Sequence, residues 1–513
     1  MAATTSTSVV QSRALLRVSI LLLSFVSVVS VRLPPHATID IASTDRIQVH
    51  PLPAAQNPAG VVPQQIHLAL TGDATQMAVT WVTKTATPAP AVSFEVASAT
   101  DQQRQQVQSA ATVVAAKTHT YTGGGWEGFI HTAVMTGLAP GRKQYTYKVG
   151  DTSTGTWTDS IVFKTAVPGS TNTDDTISHT SSTSNENKHE QEQEKEKDGG
   201  ATVTFATWGD MGTNRGAPGN DHFVTSLADG NIPELDDLDF VLLQGDIAYD
   251  KGKQDVWDTF YQEVQPFASR LPLMTCPGNE DHALNFTGYL NRVFMPGQAP
   301  DAPHAPWWYS FNYGLVHVVS MATEQSHDGG VGYWNGTAQW KWLEADLKGV
   351  DRKAQPWVVV IGHRPLYCSS NDYYDCEMWG PKARKALEPL FCHYGVDLYL
   401  SGHVHSYERT FPVCGAQSKS HSYSNPTAPV HVMNGAGGAG LTSKWSTQPA
   451  WSAKRIIHYG VGYVQANATA LDFRFLLTGQ NGTVAVGDPV VIGDHFTIVK
   501  NHQAGHSNRI MEL

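Results

Sequence analysis

Between Gly209 and His405 the chain repeats one pattern five times: a short apolar run, a glycine, then side chains that bind metals. Val203–Thr207 leads into Gly209-Asp210-Met211-Gly212, and Leu238–Leu243 into Gly245-Asp246-Ile247-Ala248-Tyr249. Leu273–Thr275 leads into Gly278-Asn279-Glu280-Asp281, Trp357–Ile361 into Gly362-His363, and Val396–Leu400 into Gly402-His403-Val404-His405. Short apolar runs ended by Gly are what strands buried on both faces of a sheet look like. In open α/β sheets ligands collect at the carboxyl ends of the strands. Loops far apart in sequence are therefore expected to meet at one point.

The groups expected there are Asp210, Asp246, Tyr249, Asn279, His363, His403 and His405. Imidazole suits zinc and iron, oxygen donors suit harder ions, and a carboxylate can bridge two cations. Seven donors exceed the needs of one tetrahedral zinc but suit two metals sharing a carboxylate. Such pairs sit roughly 3.5–4 Å apart and stabilise the attacking and leaving oxygens of an in-line displacement at phosphorus. Taken singly, a Gly-Asp or Gly-His pair is an ordinary turn. All five in this order, each after a strand, point to a dinuclear centre.

The set Gly-Asp-x-Gly, Gly-Asp-x-x-Tyr, Gly-Asn, Val360-x-x-His363 and Gly-His-x-His resembles that of the purple acid phosphatases, within the calcineurin-like metallophosphoesterases. The likeness runs from about residue 60 to 495 and includes Asn285-Phe286 through Met295-Pro296 and Ser406-Tyr407-Glu408-Arg409. The resemblance implies that Asp210, Tyr249 and His405 hold Fe(III), that Asn279, His363 and His403 hold a divalent partner (Zn, Fe or Mn), and that Asp246 bridges them. Tyr249 discriminates among metals. A free phenol ionises near pH 10, so phenolate is a poor zinc ligand near neutrality, whereas a trivalent ion holds it deprotonated.

One position departs from that pattern. Where the family reads Gly-Asn-His-Glu or Gly-Asn-His-Asp, this chain has Glu280 followed by Asp281 and His282. The family's His is taken to orient substrate and assist the leaving group. An ionised Glu280 would repel a phosphate dianion, and a protonated one would serve as a general acid at low pH. The tolerant reading is that two metals supply most of the charge stabilisation and the substitution costs some activity. The candidate catalytic set is thus Asp246, Asn279, Glu280 and His363, with His317, Glu324 and Asn371 as outer-shell candidates.

At 513 residues the chain has room for two or three domains with their own cores. Its net charge is −11 and no Lys/Arg cluster lines a helix or loop, which argues against a nucleic-acid partner. Attraction for phosphate must then be local. Residues 1–31 read as a signal peptide: Arg13 and Arg17 precede an apolar run, Val18 to Val31, that serines interrupt and that is too short for a span of about 20 residues. The alternative is an uncleaved anchor; no stable membrane anchor is expected elsewhere. Secretion, or delivery to a vacuolar or lysosomal lumen, agrees with N-x-S/T sequons at Asn285, Asn335, Asn467 and Asn481. Of five cysteines, Cys368 and Cys376 flank a short polar loop and are expected to pair, Cys392 with Cys414 is a second pairing, and Cys276 reads as a buried free thiol.

The fold class expected is α/β (α+β) and multi-domain. Residues 60–167 alternate short strands and turns, as in a fibronectin type III-like β-sandwich. Residues 168–200 are Ser/Thr-rich and then Glu/Gln/Lys-rich, which reads as a disordered linker. Residues 201–495 read as a metallophosphoesterase β-sandwich flanked by helices such as Gln339–Leu347 and Lys382–His393, and 496–513 as a tail. The expected activity is hydrolysis of small-molecule phosphate monoesters by a metal-activated hydroxide. Phosphodiester or nucleotide anhydride hydrolysis on the same site is an alternative, because a better leaving group needs the missing His less. A metal-containing binding protein that has lost catalysis is the rival from another class.

Overall fold

The computed structural model describes residues 60–97, 111–169, 202–213, 237–298, 307–324, 332–371, 373–442, 444–478 and 491–501. The expected signal peptide, most of the expected linker and tail, and Asn481 lie outside them.

The N-terminal part is two packed sheets. One orders Gln64–Ala69, Met77–Thr83, Phe129–Met135 and Lys117–His119; the other orders Thr112–Ala115, Pro90–Val96, Gln144–Asp151 and Thr156–Trp157, with Ile161–Lys164 also on Gln144–Asp151. Ile66, Leu68, Trp81, Val92, Tyr147 and Val149 fill the space between. The strands Thr112–Ala115 and Lys117–His119 escape a hydrophobicity reading because their residues are mostly exposed, so no apolar alternation marks them.

The part from residue 202 onward is a second sandwich. Its six-stranded sheet runs Leu273–Thr275, Phe240–Leu243, Val203–Trp208, Gly460–Ala466, Ala470–Leu477, Val491–Val499, and the first three are parallel. Its seven-stranded sheet runs Tyr309–Tyr313, Val316–Ser320, Trp357–Ile361, Leu398–Ser401, Val430–Asn434, Tyr407–Thr410, Ser452–Ile456, with a parallel centre. Trp357–Ile361 shows why these strands read as unbroken apolar runs. Trp357, Val359 and Ile361 join the core between the sheets, while Val358 and Val360 join a second core with Leu343, Leu347, Leu387 and Phe391 of the helices Ala338–Gly349 and Gly380–His393. Between the sheets, Phe240 stacks its edge on Phe311 at 5.7 Å.

The helix Asp255–Ala268 lies against the N-terminal sheet. Asp258 on it accepts from Gln65 at 3.0 Å, Lys84 at 2.8 Å and the Trp126 indole at 3.1 Å. At the other end, Arg142 forks onto Asp239 at 2.6 and 2.8 Å, just before the strand Phe240–Leu243. The N-terminal sandwich is thus docked on either side of Asp246 in the chain, at Asp239 and at Asp258. Disulfides join Cys368 to Cys376 and Cys392 to Cys414, and Cys276 is a buried free thiol.

Candidate dinuclear metal centre

Three of the five loops leave parallel strands of one sheet and two leave the other, and all five meet. Backbone hydrogen bonds lace them together: Asp210 N donates to Gly245 O at 3.1 Å, and Gly402 N to His363 O at 2.9 Å. Approach this close excludes side chains at some glycines. A Cβ on Gly278 would stand 2.2 Å from Asp246 Oδ1, and one on Gly402 would stand 2.3 Å from Asp210 Oδ2. At Gly278 and Gly402 the glycine is therefore demanded by a neighbouring carboxylate.

Asp210 (φ 61°), Asp246 (φ 49°), Tyr249 (φ 56°) and His403 (φ 72°) all adopt the left-handed region. For a residue with a Cβ this costs roughly 1–2 kcal/mol each, and it persists only where the surroundings over-determine it. Four such residues among seven candidate ligands mark the loops as built for a site.

Asp246 lies at the junction of two clusters. On one side, Asp246, His363 and His403 offer ligand atoms within 4.8 Å of one another; on the other, Asp210, Asp246 and His405 do the same. His363 Nε2 is 3.2 Å from Asp246 Oδ1 and 3.1 Å from Asn279 Oδ1, and His403 Nδ1 is 3.2 Å from His363 Nε2. His405 Nε2 is 3.2 Å from Asp210 Oδ1, and the Tyr249 hydroxyl lies 3.1 Å from Asp210 Oδ1 and 3.0 Å from His405 Nε2. All seven residues expected from the sequence are together, with Asn279 on the first side and Tyr249 on the second.

Each imidazole is aimed by a partner on its far side. His363 Nδ1 donates to Gln244 O at 2.8 Å, His405 Nδ1 to Gly440 O at 2.7 Å, and His403 Nε2 to Asp375 Oδ2 at 2.9 Å. With the outer N–H committed, the inner nitrogen presents a lone pair to the centre, the arrangement a metal-binding histidine requires. Arg364 steadies the outer layer, bonding Glu324 Oε1 and Oε2 through Nε at 3.1 and 3.0 Å, and Asp375 at 2.8 Å.

The electrostatics call for cations. Burial works against charge on His363, yet the Asp246 and Asp210 carboxylates overcome it and push its pKa up to about 10. His405 is pushed up to about 9 in the same way, by Asp210 against the cost of burial. Burial also opposes the Asp246 charge, and His363 and His403 outweigh it to bring Asp246 down to about 2. Protons on these rings balance the carboxylates, and a metal pair would take their place. Burial and the charges of Asp210 and Asp246 push the Tyr249 phenol far up. Only a strongly charged cation offsets that, so the donor set fits a pair in which the Tyr249 side holds the more highly charged ion.

Glu280 stands beside the pair. Its backbone N donates to Asp246 Oδ1 at 2.7 Å, its carboxylate is 3.5 Å from Asn279 Nδ2, and burial together with the Asp246 charge shifts its pKa up. His282 is turned away, its Nδ1 bonded to Asn279 O at 2.5 Å on the exposed side of the same turn. Two outer-shell expectations need correcting. His317 bonds Asn312 at 2.7 Å and Asp346 at 2.9 Å, because its strand position faces the helix Ala338–Gly349 and not the loops. Asn371 is exposed, and its backbone bonds Lys444. Glu324 does reach the centre, through Arg364. The residues that sequence reasoning missed are Gln244, Gly440 and Asp375. The first two act through carbonyls, which carry no residue-type signal, and Asp375 lies in the short π-helical turn Tyr373–Trp379, whose placement the sequence does not reveal.

Comparison with known proteins agrees with this geometry. Residues 63–165 match the purple acid phosphatase N-terminal domain, 203–407 the calcineurin-like phosphoesterases, and 428–486 the iron/zinc purple acid phosphatase-like protein C. The chain is 34% identical over 322 residues to acid phosphatase type 7 of Danio rerio, covering 58% of this chain and 68% of that protein. The chain belongs to the purple acid phosphatase family. It is 38% identical over 264 residues to acid phosphatase type 7 of Homo sapiens, spanning 48% of this chain and 59% of that protein. To the probable inactive purple acid phosphatase 27 of Arabidopsis thaliana it is 32% identical over 411 residues, 74% of this chain and 59% of that protein. The yellow lupin purple acid phosphatase structure shares the fold with a TM-score of 0.69 at 24% identity, over 86% of this chain and 75% of that one. The described helices include none long and apolar enough to cross a membrane.

Proposed function

We propose that this purple acid phosphatase hydrolyses small phosphate monoesters at acid pH, using Fe(III) held by Asp210, Tyr249 and His405, a divalent ion held by Asn279, His363 and His403, and Asp246 between them. The observation that carries the reading is the position of Asp246, whose carboxylate belongs to both ligand clusters while the Tyr249 phenol belongs to one. When bound, the cations supply Lewis-acid charge that neutralises phosphoryl oxygens and acidifies water.

The chain's own groups do the rest. Asp246 sets the spacing of the two clusters, and Gln244, Gly440 and Asp375 hold the imidazoles in the required tautomers. Asn279 contributes a neutral oxygen, which leaves the divalent side less negative than the Asp210 side. Glu280 flanks Asn279 where the family carries a histidine. Protonated, it donates to a leaving oxygen; ionised, it repels a phosphate dianion, so turnover is confined to acid pH. Secretion, or passage to a vacuolar or lysosomal lumen, belongs to the same proposal. Asn285, Asn335 and Asn467 are exposed and open to glycosylation.

Glu280 also favours a second reading, in which the centre binds phosphate esters and turns them over weakly or not at all. The pH–rate profile of the wild type beside Glu280→His decides between them, measured on an aryl phosphate, a bis-aryl phosphodiester and ATP. Turnover at acid pH that extends to higher pH in Glu280→His supports the phosphatase. No turnover by either protein with two metals bound supports the binding reading.

A further inference from the structure

The loop that carries Tyr249 is strained well beyond its ligands. Within Asp246–Gly252, three residues with a Cβ are left-handed: Asp246 at φ 49°, Tyr249 at 56° and Lys251 at 47°. Something must hold it in place. Asp250, next to Tyr249, ties the loop to the following helix, accepting from Gly252 N at 3.3 Å, from the Trp257 indole at 3.0 Å and from Gln254 Nε2. Gln254 is 1% exposed. Gln254 Oε1 accepts from the hydroxyl of Tyr121 at 3.0 Å, a residue of the N-terminal sandwich.

Tyr121 is itself held from both sides. Its ring stacks on Trp126 at 4.4 Å and 15°, and its oxygen accepts from Arg292 Nε at 2.7 Å. Arg292 lies over the Trp126 ring at 4.6 Å and donates to Asp258 at 2.9 Å. A second contact adds backbone to these side chains. Gly124, at φ 62°, brings the backbone of the N-terminal sandwich so close that a Cβ there would meet Gly252 O at 2.8 Å and Gln254 Cγ at 2.9 Å.

We propose that the N-terminal sandwich positions the metal-binding phenol: Tyr121, through Gln254 and Asp250, and Gly124, through Gly252, clamp the loop that holds Tyr249 in its left-handed conformation. Tyr121 touches no candidate ligand, so it is a positioning residue. The inference rests on the reading of Tyr249 as a ligand, and it gives the appended domain a role in tuning one metal of the pair.

Tyr121→Phe keeps the stacked ring and removes only the hydroxyl, and Gly124→Ala attacks the second contact. Arg142→Met is the control, because it weakens domain docking at the far end of the strand Phe240–Leu243. Two readouts on the full chain are needed: amide hydrogen exchange of residues 246–254 in metal-free protein, and the visible phenolate-to-iron absorption after loading with Fe(III) and Zn(II). Both clamp variants are expected to speed exchange in that loop about tenfold and to shift or weaken the absorption band. Arg142→Met is expected to lower Tm with neither change. Wild-type exchange and an unaltered band in Tyr121→Phe and Gly124→Ala would overturn the clamp, as would equal effects from Arg142→Met. If the loaded wild type develops no band, the reading of Tyr249 as an iron ligand fails, and exchange in the metal-free protein still decides whether the clamp exists.

Discussion

Asp375 Oδ2 lies 2.9 Å from His403 Nε2, on the side of that ring away from His363, which faces His403 Nδ1 at 3.2 Å. Burial opposes the Asp375 charge, but His403 and Arg364 hold its carboxyl below the usual range. An ionised Asp375 accepts only, so it keeps the His403 proton on Nε2 and the Nδ1 lone pair on the centre. Asp375→Asn can present either end of its amide and loses that preference. The expected result is a 10–100-fold weaker hold on the divalent ion, the usual cost of losing an outer-shell partner. Metal content after dialysis against a graded chelator measures it; wild-type retention would show that Asp375 does not set the tautomer of His403.

Asp246→Asn removes the charge shared by the two ligand clusters. Turnover is expected to vanish and bound metal to fall below two ions per chain, with unchanged far-UV circular dichroism. A folded variant with full activity and two metals would sink the dinuclear reading.

Gly402→Ala should damage the Asp210 side most. The new Cβ would stand 2.3 Å from Oδ2 of the buried Asp210 and 3.2 Å from the backbone oxygen of Gln244. Overpacking of this kind costs about 1–3 kcal/mol. The Asp210 carboxylate is expected to swing and the visible band to be lost, with a smaller loss of the divalent ion. Band intensity and zinc content, measured on one sample, separate the two sides.

Stability should fall on acidification because of histidines away from the centre. Burial pushes His67 down to about 4, His131 to about 4 and His431 to about 3, with nearby Arg384 adding to the effect at His431. In the unfolded chain each titrates near pH 6.5. Between that pH and the folded values, the unfolded state binds more protons, so stability is full above pH 6.5 and declines toward pH 3–4. Each group accounts for a loss on the order of 3 kcal/mol. His431 sits between the rings of Tyr367 and Tyr399, and neither of its nitrogens has a hydrogen-bond partner among the described residues. His431→Phe therefore leaves no bonded partner stranded and should flatten the decline. Urea midpoints at pH 7 and pH 4.5 test this; equal drops in both proteins would refute it.

The sequence alone determined which seven residues come together at the candidate centre. Ligand loops announce themselves because a strand buried on both faces must be apolar, a tight exit needs glycine, and metal donors come from a small set of residue types. Asp210, Asp246 and the pair His403 and His405 follow from those three demands. What lies one bond further out follows from none of them. The tertiary structure alone decided that Gln244 and Gly440 aim imidazoles through their carbonyls, that Asp375 rather than His317 or Asn371 stands behind a ligand, and that Tyr121 reaches the Tyr249 loop. A carbonyl is common to every residue, and a polar side chain on a loop can bond in many directions. Which partner it meets depends on how the two sheets and the N-terminal sandwich pack, a long-range outcome that local sequence pattern does not encode.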